Sequence, residues 1–235
     1  MYENARQMTL GQARQEASTI FLAKVFNWMA LGLLITGIVA FFTANTGLAV
    51  TIIRSPMFYI LMFAELGLVF FLSARVNRIQ ASTASALFIG YSVLNGLTLS
   101  VVFLVYTRSS IASTFFITAG MFGAMAVYGL VTKRDLSGLG SFLIMGLFGI
   151  ILASIVNIFL NNSSLYWAIS FLGVLIFTGL TAYDVQKIKR IGEEGIMASG
   201  DEAIRKGSIM GALTLYLDFI NLFLMLLRFF GGSRD

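Results

Sequence analysis

Cysteine and histidine are both absent from the 235 residues, and proline occurs once, at Pro56. Without thiols or imidazoles, disulfides, thiol nucleophiles, haem and zinc ligation and imidazole acid–base catalysis are excluded. Proton chemistry is left to carboxylates. Charge is scarce too: charged residues make up 11% of the chain and apolar ones 58%, far from the composition of a soluble domain. The apolar runs are long and continuous, whereas strands of a membrane barrel alternate in segments of about ten residues. The chain therefore reads as an all-α integral membrane protein.

Windows of about 20 apolar residues, broken by charges and turn residues, predict seven transmembrane helices at 20–44, 56–76, 81–106, 110–131, 139–160, 164–186 and 207–230. Residues 1–19 are polar and mixed in charge, lack the apolar core of a signal peptide, and read as a short cytosolic tail with some helical character. The seven-helix domain occupies 20–231, and 232–235 form a C-terminal tail. Loops such as "NNSS" and "TRSS" are short and make successive helices antiparallel neighbours; the longest connection, 187–206, is a charged loop. An inside N-terminus puts twelve basic residues on the cytoplasmic side and four outside, the asymmetry of an inside N-terminus and an outside C-terminus. The net charge of +5 is then a topology signal, with no nucleic-acid partner implied. The lipid bilayer is the surrounding solvent.

Ionisable residues inside spans are expensive and mark function. Asp218 lies mid-membrane in "LTLYLDFINLFLMLLRFF". On a helical wheel, Gly207, Gly211, Thr214, Asp218, Asn221, Met225 and Arg228 share an arc of about 100°. That small, polar face points into the bundle or a hydrated cavity, which makes the seventh helix central; the plainer alternative is a neutral, hydrogen-bonded structural aspartate. Asp184 closes span six beside Lys187, Lys189 and Arg190. It reads as an interfacial acid unless the bundle is indented or the long loop begins with more helix. Only then can it meet Asp218, and two like charges in a dry site would titrate as a unit. Arg75 ends span two on the same side, reaching an acid inward or snorkelling outward. Glu65 and Arg228 fall at comparable outer depth and make a candidate outer gate.

The strings "GALTLYLDFINLFLMLLRFFG", "TGLTAYDVQKIK", "LNGLTLS", "TAGMFGAMAVYG" and "TKRDLSG" together resemble the bacterial branch of the Bax inhibitor-1 family, also called the transmembrane Bax-inhibitor-motif family. The likeness covers nearly the whole chain outside the N-terminal tail and the loop between spans six and seven. The resemblance implies a bacterial inner-membrane protein with the last helix surrounded by the other six, and a pH-sensitive calcium leak. It implies further that Asp184 and Asp218 form the pH sensor, that Arg75 bonds one of them, and that Glu65 and Arg228 act on the outer side. Calcium and protons are then the permeating or titrating partners and there is no cofactor. Asp184 and Asp218 would meet calcium in transit, because two carboxylates supply hard oxygen ligands without completing a cage.

Some bacterial relatives modulate a membrane-bound ATP-dependent protease through the N-terminal tail, which makes a regulatory membrane protein the alternative function. An enzyme is not expected. "AYD" matches half of an intramembrane aspartyl protease signature, but the companion Gly-x-Gly-Asp is missing, and span seven has no central lysine for a retinal Schiff base. A proton-coupled carrier would require broken helices flanking a pocket.

Overall fold

The computed structural model describes residues 2–194, Ile196 and 199–232, so of the expected tail 232–235 only its first residue lies within the described residues. The elements in order are α1 (Tyr2–Asn45), α2 (Leu48–Arg54), α3 (Met57–Arg75), α4 (Ala81–Leu99), α5 (Val102–Val105), α6 (Arg108–Val131), α7 (Ser137–Leu160), α8 (Ser163–Glu193) and α9 (Asp201–Phe230), with a 3-10 turn at Val76–Arg78. Among the described residues there is no strand, and seven helical segments are long and apolar enough to cross a membrane. This is an all-α membrane protein.

Three boundaries differ from the sequence expectation, each for a local reason. First, the charged stretch 187–206 is mostly helix: α8 continues to Glu193 and α9 begins at Asp201. Lys189 pairs with Glu193 at 3.8 Å and Lys206 with Glu202 at 2.8 Å, both four residues apart, so charges that read as a loop support helix beyond the lipid. At 1.5 Å per residue α8 is about 46 Å long, more than the ~30 Å hydrocarbon core requires. Second, span three breaks: α4 stops at Leu99 and α5 resumes at Val102. Third, Gly47 takes a left-handed conformation (φ 77°) and opens the short helix α2 before Pro56 starts α3. α1 also runs without interruption from the expected tail into the first span.

The chain forms two compact units, one of residues 1–105 and 188–216, the other of 106–187 and 217–235. In the first, α1 and α4 meet at glycines. A side chain at Gly32 would run into the Phe88 ring, and one at Gly96 into Val39 and the Thr36 carbonyl. Trp28, Phe88, Tyr91 and Tyr216 pack edge to face with ring centroids 5.6–6.1 Å apart. The second unit is built around Leu143, Ile150, Ile169, Ile176, Phe177, Leu180, Leu222 and Leu226. Its chain end is tied down where Thr107 N–H donates to the Gly232 carbonyl (3.2 Å) and Gly232 N–H to Ser110 Oγ (2.9 Å).

Burial differs sharply between spans. In the apolar 18-residue window of the last one 67% of residues are buried inside the protein, against 11–44% in the windows of the others. The wide apolar surfaces of α3 and α7, including Phe63, Phe70, Phe142 and Phe159, remain exposed and suit a lipid surround.

Candidate functional site

Asp184 owes its position to close packing around α8 in the second unit. On α6, Gly129 lies against the carbonyl of Ala182, where any Cβ would overlap it; on α7, Gly140 lies against the Tyr183 ring. These contacts let helix backbones approach as small residues do within lipid. One turn further, Gln186 holds the connection between α6 and α7 with both ends of its amide. Its Oε1 accepts from Leu136 N–H (2.9 Å) and its Nε2 donates to the Arg134 carbonyl (2.8 Å). Asp184 is thus fixed on a helix gripped from two sides.

Asp218 comes from the middle of α9, and its side chain is hydrogen-bonded to that of Asp184. Asp184 is 9% exposed and Asp218 5%. The continuation of α8 past the expected loop, which the sequence left as one alternative, accompanies this meeting. A carboxylate only accepts hydrogen bonds, so a bond between two carboxyls requires at least one proton on the pair. The second oxygen of Asp218, Oδ2, is buried and has no hydrogen-bond partner among the described residues. Lys187 is the base whose charge acts on Asp184; it is exposed, with Nζ 6.0 Å from the centre of the Tyr183 ring.

The remaining sequence-derived residues are placed as follows. Arg75 ends α3 with an exposed side chain and belongs to the first unit, as does the exposed Arg78 on the following turn. Glu65 on α3 is half-buried and accepts from Asn95 Nδ2 (3.1 Å) and Thr98 Oγ1 (2.5 Å) on α4. Arg228 on α9 donates to Ser170 Oγ (3.3 Å), and its guanidinium stands 4.6 Å from the centre of the Tyr166 ring. Each member of the expected outer pair is therefore engaged by other partners. Thr214 Oγ1 donates to the Met210 carbonyl (3.1 Å) and Asn221 Nδ2 to the Leu217 carbonyl (2.8 Å), both within their own helix.

The face holding Thr214 and Asn221 differs from a simple inward-facing stripe. Gly207, Thr214, Asn221, Met225 and Arg228 are half-buried, whereas apolar Leu213, Leu215, Tyr216, Leu222 and Leu227 are fully buried. Asp218 is buried at the edge of the stripe.

Two groups of functional interest escaped the sequence. Gln186 has no motif, and its double contact exists only once the α6–α7 connection is folded back onto α8. The second is a polar chain across the first unit, in which Tyr216, Thr36 and Asn95 connect α9, α1 and α4. Its one sequence signal is the presence of Thr36, Asn95 and Tyr216 inside apolar spans.

Comparison with known proteins places these features in context. A family model described as "Inhibitor of apoptosis-promoting Bax1" matches residues 19–235. The inner membrane protein YbhL of Escherichia coli K12 is 52% identical over 216 residues, covering 91% of this chain and 92% of that protein. An uncharacterized protein of Borreliella burgdorferi is 48% identical over 230 residues, with 96% and 98% coverage. Another of Deinococcus radiodurans is 46% identical over 233 residues, with 98% and 95% coverage.

Proposed function

The chain belongs to the family of inhibitors of apoptosis-promoting Bax1, and from that premise we propose that it is a passive calcium-permeable pathway of the bacterial inner membrane, gated by protonation of Asp184 and Asp218. The observation that carries this reading is the buried hydrogen bond between the two carboxyls. Sharing one proton, they tie α8 to α9 and the path is shut. Removing that proton leaves two like charges in a dry site, and adding a second leaves two neutral acids without a charge-assisted bond. Either change shifts the population toward an open state that already exists.

Further support comes from the partly accessible stripe on α9, which supplies a polar wall, and from the heavy burial of that helix, which suits a central position among the spans. Among the described residues no three acidic side chains converge on one point. Two carboxylates coordinate calcium in passing but do not complete its six to eight oxygen ligands, which favours flux over storage. The inner-membrane location follows the name of the Escherichia coli relative, and the charge asymmetry of the loops orients the N-terminus inward.

Calcium flux into proteoliposomes of the purified protein, measured against pH, tests the proposal. Wild type is expected to show a flux minimum where the pair shares one proton, and Asp184→Asn and Asp218→Asn to lose that pH dependence. No calcium flux at any pH would overturn the pathway. An unchanged pH profile in both variants would overturn the gate.

A further inference from the structure

Glu65 lies within a membrane span in the first unit, and its hydrogen-bond partners form a chain whose protons can be counted. Thr98 Oγ1 lies 2.5 Å from Oε1 of Glu65 and 3.3 Å from the Leu94 carbonyl, and its one proton goes to the nearer carboxyl oxygen. From Oε2 the contacts run to the Asn95 amide (3.1 Å), from that amide to Tyr216 Oη (2.9 Å), from Tyr216 Oη to Thr36 Oγ1 (2.6 Å), and from Thr36 Oγ1 to the Ser92 carbonyl (2.9 Å). Tyr216 is fully buried, and Thr36 and Asn95 are buried as well, so water does not freely substitute for a missing partner.

With Glu65 ionised, Asn95 must turn its NH2 group toward the carboxylate and present Oδ1 to Tyr216. Tyr216 then spends its one proton on Asn95. Two contacts remain, Thr36 with Tyr216 and Thr36 with Ser92, and Thr36 has a single proton for both. One close contact is left without a hydrogen bond. With Glu65 protonated the count closes. The carboxyl O–H donates to Asn95 Oδ1, the turned amide donates to Tyr216 Oη, Tyr216 donates to Thr36, and Thr36 donates to the Ser92 carbonyl. Every contact in the chain is then a hydrogen bond, and no group has to gain or lose a proton except Glu65 itself. The amide orientation of asparagine is set by its network, so it follows the carboxyl's state.

We propose that Glu65 is a proton-binding site distinct from the aspartate pair, and that its protonation state is transmitted to Tyr216 on α9 by a half-turn of the Asn95 amide. Binding the proton reverses the direction of donation along the chain and completes the contact between α1 and α9 at Thr36. The titratable groups whose charge couples to Glu65 within this unit are the phenols of Tyr91 on α4 and Tyr216 on α9. The break at Ser100 and Val101 begins two residues after Thr98, so the carboxyl sits near where span three is least regular. Such a site would bias α9 at Tyr216, two residues before Asp218.

Difference infrared spectroscopy of the purified protein across a pH titration tests this, with ring-deuterated tyrosine to identify phenol bands. In wild type, a phenol C–O band is expected to move in step with the carbonyl stretch of a protonated carboxyl, because the phenol changes its hydrogen-bond partner. The movement should persist in the Asp184→Asn/Asp218→Asn double variant, vanish completely in Glu65→Gln, and be missing from Tyr216→Phe. A wild-type phenol band that stays still across the titration would overturn the proposal without any variant having to fold. So would a band that still moves in Glu65→Gln, or one that survives in Tyr216→Phe.

Discussion

Asp184 and Asp218 are bonded to each other inside the protein although neither could donate if both were ionised. A bond between them therefore requires a proton on the pair. Stability contributed by the pair is present while that proton is bound and is lost as pH rises through its titration, because like charges are then left buried. Asp218→Asn supplies an amide donor to Asp184 and should melt within about 1 kcal/mol of wild type while losing the pair's pH dependence. Asp218→Ala removes the donor and should cost about 1–3 kcal/mol. Melting in detergent, followed by intrinsic fluorescence at several pH values, distinguishes the two.

Gln186 spans the α6–α7 connection with one acceptor and one donor. Replacing it with Leu leaves the buried Leu136 N–H unpaired, at a cost of about 1–3 kcal/mol. Gln186→Glu keeps the acceptor for that N–H but turns an oxygen toward the Arg134 carbonyl, and is expected to destabilise more at neutral pH than at acid pH. Equal loss at both pH values would show that the donated bond carries no weight.

The seven spans are legible in the sequence because apolar length is a strong signal, and Asp218 is legible because a lone carboxylate within such a run has few bland explanations. The ends of α8 and α9 are harder to read. The string "KIKRIGEEGIMASGDEAIRK" carries the charges of a loop, and only the spacing of Lys189 to Glu193 and Glu202 to Lys206 betrays helix. On spacing alone a short α8 leaves Asp184 at the interface, so it is the family resemblance that names it as the partner of Asp218. Depth matching suggests joining Glu65 to Arg228, and it does not reveal the partners that each has within its own unit. Glu65 meets Asn95 and Thr98, and Arg228 meets Ser170 and Tyr166. Asparagine, threonine and tyrosine in apolar runs are common enough that their mutual contacts appear only in three dimensions.

Arg228 stacks on Tyr166, and a double-mutant cycle isolates that contact. Arg228→Lys keeps the charge and loses the planar face, whereas Tyr166→Leu keeps apolar bulk and loses the ring. A coupling of about 0.5–2 kcal/mol between the two changes is expected, measured from thermal unfolding of the four proteins. Additive effects would mean that the guanidinium is held by Ser170 and not by the ring.

Two glycines of α6 give a contrast that tests whether close helix approach sustains the aspartate pair. A methyl group at Gly129 would strike the Ala182 carbonyl, whereas nothing lies within 4 Å of the corresponding position at Gly120. Gly120→Ala should leave stability unchanged or raise it by up to about 1 kcal/mol, the helix preference of alanine over glycine. Gly129→Ala must push α6 from α8 and should cost about 1–3 kcal/mol, the range for overpacking a core. Because Ala182 is two residues from Asp184, the same change should also disturb the pH profile of calcium flux, which Gly120→Ala should not. If Gly129→Ala is destabilised while its flux profile stays that of wild type, then the grip of α6 on α8 serves folding alone, and the placement of Asp184 depends on α7 and Gln186.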